Sequence, residues 1–198
     1  MGKVVAFITM SLDGFVAGPD DRVGVGLGEG GERLHEWMFG GESGAGGEPA
    51  APDKAVLDDV FGNAGAWIVG RTMHDLAEGW GDEPGFGVPV FVATHRPQET
   101  AIKGDTSFEF VTDGIEAALE QARAAAGDKN VLVMGGADLM RQYLNAGVVE
   151  ELALTVAPML LGAGKPLFDG SQRTDLRLER LAVVESPRAT HLRFRVHM

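Results

Sequence analysis

The chain has 198 residues, of which 44% are hydrophobic and 23% are charged, and we expect residues 1–198 to form one globular domain. The formal net charge is −12. Binding to a nucleic-acid backbone needs clustered Lys and Arg, so we expect no nucleic-acid partner. The sequence has no cysteine, which excludes disulfides, thiolate metal sites and cysteine nucleophiles.

The first ten residues carry one Lys and a short apolar run that Thr9 interrupts. This run is too short and too poorly flanked for a signal peptide or a membrane span. We therefore expect a cytoplasmic protein without a membrane partner.

Five short apolar runs predict strands that are buried on both faces. They are Val4–Ile8, Ala66–Val69, Val90–Ala93, Val131–Met134 and Leu152–Val156. Amphipathic patterns between them predict helices at 113–127, with Asp113 as the N-cap, at 56–62 and at 137–146. Strands that alternate with helices predict an α/β fold with a mostly parallel sheet.

The pattern changes near the C-terminus. A strand-like run from Leu176 to Val184 is followed by a segment in which Leu192, Phe194 and Val196 alternate with polar residues. This alternation predicts an antiparallel hairpin at one edge of the sheet.

A glycine-rich segment from Gly24 to Pro52 interrupts the predicted elements, and Arg33–Phe39 within it is expected to form one short helix. A segment of this length inside a domain is either a functional lid or a tolerated surface loop. The sequence leaves both readings open.

Three predicted strands end in residues suited to an anionic ligand. The strand before Gly135 and Gly136 runs into a helix, whose free N–H groups and dipole attract a phosphate. Two other strands are followed by Gly70-Arg71-Thr72 and by Thr94-His95-Arg96. Ligands of open α/β sheets bind at the carboxyl ends of the strands, so together these segments favour a dinucleotide. The alternative is that the glycines form an ordinary turn and that the two arginines are solvated caps.

Several common motifs are missing. No strand is followed by G-x-G-x-x-G, and there is no P-loop. The five histidines show no ligand spacing, so we expect no metal. The absence of a G-x-S-x-G sequence argues against a hydrolase.

Five segments in this order resemble the dihydrofolate reductase superfamily, in the branch that contains the C-terminal reductase domain of bifunctional riboflavin-biosynthesis proteins. They are residues 9–18, 69–72, 135–139, 157–162 and 166–168. The resemblance implies a dihydrofolate-reductase-like mixed sheet flanked by helices, with NADPH across the strand ends. It also implies a homodimer and hydride transfer to a small heterocycle. That substrate is a pyrimidinone of the riboflavin pathway, such as 5-amino-6-(5-phosphoribosylamino)uracil, or a pterin.

The resemblance assigns roles to the cofactor residues. It implies that Gly135 and Gly136 receive the pyrophosphate, with Leu139 in the same motif. It implies that Gly70, Arg71 and Thr72 hold the adenosine side and the phosphates. It also implies that Thr94, His95 and Arg96 lie near the ribose 2′-phosphate, and that Thr9, Val16 and Ala17 lie beside the nicotinamide.

The substrate is expected between the first strand and the short helix. Asp13 and Glu36 are the candidate catalytic residues, and Ser11 and Trp37 the candidate substrate contacts. Asp13 has a competing structural role, because its carboxylate can bond backbone N–H groups in a turn. Glu36 can equally be a solvated helix residue. No carboxylate of this helix, which also carries Glu32 and His35, aligns with the one that dihydrofolate reductases use, so a non-catalytic NADPH-binding or sensing module is the alternative function.

Overall fold

The computed structural model of the chain describes residues 2–41 and 47–198. Within them the main sheet has nine strands in the order β10-β11-β8-β1-β7-β3-β4-β6-β5. The strands are β1 Val4–Ser11, β3 Ala64–Gly70, β4 Val90–Ala93, β5 Ala101–Lys103, β6 Thr106–Val111, β7 Asn130–Val133, β8 Glu151–Ala157, β10 Arg177–Glu185 and β11 Thr190–His197. The strands from β8 to β6 are parallel, and those at both edges are antiparallel. This confirms the predicted mixed, mostly parallel sheet.

Helices cover both faces of the sheet. They are α1 Ala51–Gly62, α2 Arg71–Leu76, α3 Ile115–Ala126 and α4 Ala137–Asn145, with 3-10 helices at Gly31–His35 and Glu78–Trp80. On one face, Leu119 of α3 and Met140 of α4 pack against Ala6 and Ile68. On the other face, Val60 of α1 belongs to a second core with Phe7 and Trp37. The central strands are therefore mostly apolar, because neither face meets water.

The helix at 113–127 was predicted with the wrong cap. The structure starts α3 at Ile115, and its N-cap is Gly114 with a φ of 96° and no side-chain cap hydrogen bond. The chain turns through this left-handed conformation, which glycine adopts at little cost. The side chain of Asp113 consequently does not cap the helix.

The predicted C-terminal hairpin is confirmed, since β10 and β11 pair antiparallel along the edge of the sheet. A second, two-stranded sheet was not predicted. It joins β2 Phe15–Ala17 to β9 Lys165–Pro166. Strands of two or three residues are too short for hydrophobic periodicity to reveal.

The glycine-rich segment packs against these short strands, and residues 42–46 of it lie outside the described residues. Its predicted helix begins at Gly31 rather than Arg33 and ends at His35. Leu34 and Trp37 are both buried. They are three positions apart in the sequence, which matches the three residues per turn of a 3-10 helix.

Two glycines let backbones meet at close range here. A Cβ on Gly28 would overlap the carbonyl oxygen of Pro19, and a Cβ on Gly164 would overlap that of Ala17. Both glycines also have positive φ, of 75° and 128°. This packing holds β9 beside the loop that follows β2.

Candidate active site

A cavity of about 660 Å³ opens at the carboxyl ends of β1, β7, β3 and β4. All predicted cofactor residues except Gly135 line it: Thr9, Val16, Ala17, Gly70, Arg71, Thr72, Thr94, His95, Arg96, Gly136 and Leu139. The parallel strands explain this convergence, because their carboxyl ends meet at one edge. The structure thus brings these residues together around one space.

The central part of the cavity lies where β7 runs into α4. Gly135 has a φ of 112° and its carbonyl accepts a hydrogen bond of 2.6 Å from the N–H of Gly70. Gly136 is the N-cap of α4, and a Cβ built on it would meet no atom within 4 Å. The space beside Gly136 therefore belongs to the cavity, and the helix N-terminus faces it with partial positive charge.

At the β3–β4 end, one carboxylate joins two arginines. Asp75 accepts a hydrogen bond of 2.6 Å from Nε of Arg71 and one of 2.7 Å from a terminal guanidinium nitrogen of Arg96. Arg71 also lies over the ring of Phe110. The backbone N–H of Arg96 donates to Oγ1 of Thr94 at 3.0 Å. The arginines are therefore held in place rather than free in solvent.

The charges of this group follow from its contacts. Burial raises the pKa of Asp75, but hydrogen bonds from Arg71, His74 and Arg96 outweigh it and lower the pKa below its ordinary value of 3.8. Burial lowers the pKa of His74 from its ordinary 6.5, against the opposing effect of Asp75. At neutral pH His74 is uncharged, so two arginines face one carboxylate and the net charge is positive.

The β1 end of the cavity differs in character. Val16 and Ala17 form a buried apolar wall. Four polar side chains that the sequence analysis did not select line the same end: Asp21, Glu32, His35 and Lys165.

The residues that were predicted to contact substrate do not belong to the described lining of the cavity. Ser11 is fully buried, and its hydroxyl donates to Asp13 at 2.5 Å and accepts from the N–H of Phe15. Asp13 also accepts hydrogen bonds from the N–H groups of Leu161 and Gly162, at 3.2 and 2.7 Å. The Ser11 hydrogen bond and those backbone donors lower the pKa of Asp13 below 3.8. These contacts match the structural role that was the alternative for Asp13, in which its carboxylate bonds local backbone N–H groups.

Trp37 and Glu36 are also absent from the described lining of the cavity. Trp37 is buried, its indole N–H donates to Oγ1 of Thr9 at 3.2 Å, and its ring contacts His191. Glu36 lies 3.8 Å from Arg33 in an ion pair. Trp37 therefore supports the strand behind the cavity, while Glu36 is the C-cap residue of the 3-10 helix and pairs with Arg33.

A simple signal existed for the residues that were missed. Glu32 and His35 are three residues apart, which places them on one side of a 3-10 helix, whereas the selected Glu36 and Trp37 follow the end of that helix. Asp21 and Lys165 are separated by most of the chain and pair through the β2–β9 sheet. No local pattern in the sequence indicates such a pair.

Two further observations concern other kinds of site. In residues 2–41 and 47–198, no group of three or more His, Asp or Glu residues is arranged to hold a metal ion. No helix within the same residues is both long and apolar enough to cross a bilayer.

Comparison with known proteins identifies a family and several similar folds. Residues 2–192 match the model of the RibD C-terminal domain. The chain is 24% identical over 188 residues to the uncharacterized protein YyaP of Bacillus subtilis (strain 168), a match that covers 89% of this chain and 86% of YyaP. RibD of Acinetobacter baumannii has a TM-score of 0.67 at 16% identity, covering 100% of this chain and 59% of RibD. Dihydrofolate reductase from Enterococcus faecalis complexed with NADP(H) has a TM-score of 0.56 at 14% identity, over 100% of this chain and 98% of that enzyme.

Proposed function

The chain belongs to the RibD C-terminal domain family, and from this membership we propose that it is an NADPH-dependent reductase that transfers hydride to a small heterocycle. The observation that carries the proposal is the cavity itself. It connects a glycine-lined helix N-terminus, two positioned arginines and a buried apolar wall in one space. A dinucleotide that carries phosphates at its centre and on one ribose needs this sequence of environments.

The residues present fit the cofactor. Gly136 leaves open space at the N-terminus of α4, where the pyrophosphate would be held by backbone N–H groups. Arg71 and Arg96 would hold the 2′-phosphate, and the guanidinium of Arg96 is the more exposed of the two. The similarity to a dihydrofolate reductase that binds NADP(H) supports the same choice.

When bound, the nicotinamide supplies the hydride, and the acceptor gains one hydride and one proton in total. The chain contributes position rather than covalent chemistry. Val16 and Ala17 keep water from one side of the cavity, and Thr9 is fixed by its hydrogen bond to Trp37. Holding the two reactants close together in the right orientation lowers the entropic cost of reaching the transition state. A dedicated base is therefore not required.

The experiment is calorimetry of NADPH binding to the wild type and to Gly136→Val. Gly136 has a φ of −67°, which valine tolerates, so the variant is expected to fold. Its side chain would fill the phosphate space and weaken binding by about tenfold or more, or about 1.4 kcal/mol. Gly62→Val is the matched control, because a Cβ at Gly62 also meets no atom within 4 Å and lies on α1, outside the cavity lining.

Absence of NADPH binding to the folded wild type, or equal binding by wild type and Gly136→Val, would refute the proposal. Oxidation of NADPH with a panel of pterins, pyrimidinones and quinones separates the enzyme from a sensing module. A sensor with the same fold would bind NADPH without turnover.

A further inference from the structure

We propose that the heterocyclic acceptor is unphosphorylated and carries no net negative charge, and that Asp21 and Glu32 select against phosphorylated acceptors. This inference rests on the proposed function, since it concerns the part of the cavity that the nicotinamide would leave free. The family resemblance, in contrast, implies a pyrimidinone that carries a phosphoribosyl group.

The only lysine or arginine that lines the β1 end, among the described residues, is already paired. Nζ of Lys165 lies 3.0 Å from Oδ2 of Asp21. Both side chains are largely shielded, with 34% and 18% of their surfaces exposed. A phosphate that bound Lys165 would have to displace this carboxylate or sit beside it.

Glu32 adds a second negative charge. Its Oε1 accepts a hydrogen bond of 3.0 Å from the N–H of Leu27, which holds the carboxylate at the cavity wall. Among the described residues that line this end, there are thus two carboxylates, those of Asp21 and Glu32, and one ammonium group, that of Lys165.

His35 does not supply the missing positive charge. Burial lowers its pKa from 6.5, although the nearby Glu32 acts in the opposite direction. The imidazole is therefore neutral at pH 7. The five residues between the described ranges, 42–46, contain neither Lys nor Arg in the sequence.

The opposite end of the cavity has the charge that a phosphate needs. Arg71 and Arg96 there face the single carboxylate Asp75. The cavity thus has one end suited to anions and one end suited to groups that donate hydrogen bonds to carboxylates. Leu27, Met38 and Phe39 add an apolar surface at that second end, which matches a flat ring with amino or amide N–H groups.

The test uses two compounds that differ by one phosphate, 5-amino-6-(ribosylamino)uracil and its 5′-phosphate. Their dissociation constants are measured by calorimetry with the full chain saturated with NADP⁺. We expect the phosphate to weaken binding by about tenfold or more, because its negative charge and the two carboxylates at this end repel each other. Asp21→Asn and Glu32→Gln should each reduce this ratio by about threefold or more, and the exposed Glu29→Gln should leave it unchanged.

Equal or tighter binding of the phosphorylated compound would overturn the inference. Binding of neither compound would overturn it too, because the neutral ring is expected to bind. Both results are distinguishable from failure of the proposed function, in which NADPH itself does not bind. Circular dichroism and retained NADPH binding show that the variants are folded.

Discussion

Arg96 shows how a single side chain can be both exposed and positioned. Two-thirds of its side-chain surface, 67%, is open to solvent. Its guanidinium is nevertheless hydrogen-bonded to Asp75, and its backbone to Thr94. An arginine held in this way loses less conformational entropy when it binds a phosphate than a free one does.

We predict that Arg96→Ala weakens NADPH binding by about tenfold or more and leaves NADH binding nearly unchanged. A charge-assisted hydrogen bond contributes roughly 1.5–3 kcal/mol, and only NADPH carries the 2′-phosphate. Fluorescence titration with both cofactors measures the two constants. Arg188→Ala, at an exposed arginine between β10 and β11, is the control. Equal weakening of both cofactors would move the role to Arg71.

The grouping of the strand-end residues around one cavity could be predicted because glycines, hydroxyls and cations follow buried strands directly. The lining of the β1 end could not be predicted equally well. Selecting Glu32 rather than Glu36 requires the orientation of a 3-10 helix, which depends on burying Leu34 and Trp37. Asp21 and Lys165 form their ion pair only once the fold brings β9 beside β2.

At the scale of elements, a buried polar chain ties α1 to the sheet. Asp53 of α1 lies 2.8 Å from Nε2 of His191 on β11, and Nδ1 of the same ring lies 2.9 Å from Oγ1 of Thr155 on β8. Each of these three side chains is almost completely buried. Each polar group therefore depends on its neighbour in the chain.

We predict that Asp53→Ala lowers the free energy of unfolding by about 1–3 kcal/mol, because it leaves the ring of His191 without its partner in a buried place. Urea denaturation measures the change. The control is Asp58→Ala on the same helix, where an exposed ion pair with Lys54 is lost; its effect should stay within about 0.5 kcal/mol. Similar effects of the two substitutions would contradict this role for Asp53.

Sequence patterns predicted five strands of the sheet, α3, α4 and the C-terminal hairpin, whereas α2, β5 and β6 were not predicted. Apolar runs identified the central strands, and alternating residues identified β11. The two-stranded sheet of β2 and β9 carries no such pattern, yet it forms part of the β1 end of the cavity. Tertiary contacts of this kind decide where Lys165 lies, and they are invisible in a local window of sequence.

At the scale of the whole molecule, Glu151 joins segments that are far apart in the chain. It lies on β8 and is bound by Lys3 at 2.5 Å and by Arg193 of β11 at 2.6 Å. Burial raises the pKa of Glu151, but hydrogen bonds and charges of these two cations outweigh it and lower the pKa below 4.5. The carboxylate thus favours the folded state only while it is ionised.

The pH dependence follows from that direction. A depressed pKa gives stability that is fully present above pH 4.5 and is lost as pH falls through the folded-state pKa. We predict that Glu151→Gln lowers the melting temperature at pH 7 by roughly 2–10 °C, from about 1–3 kcal/mol, and that the gap narrows below pH 4.5. Thermal melts across pH 3–7 test this, with Glu120→Gln on the exposed side of α3 as the control. A gap that is independent of pH would contradict the assignment.

We also predict a homodimer, with the exposed surface of β10 in the interface. Leu178 and Val183 are 48% and 46% exposed, and their partners Val196 and Leu192 pack on the same core. An apolar edge strand of this kind is usually covered. Light scattering should give a dimer for the wild type and a monomer for Leu178→Lys/Val183→Lys, with Ile102→Lys on the opposite edge as the control. A stable wild-type monomer at micromolar concentration would refute the prediction.

The close packing at Gly28 and Gly164 has a consequence for evolution. Any side chain at either position would overlap a neighbouring backbone carbonyl, so these two positions tolerate no exchange while the loop keeps its path. The neighbouring positions that face the cavity, such as Leu27 and Lys165, are free of that constraint. Descendants of this chain can therefore change the shape and charge of the β1 end of the cavity by exchanging a few side chains on an inherited backbone.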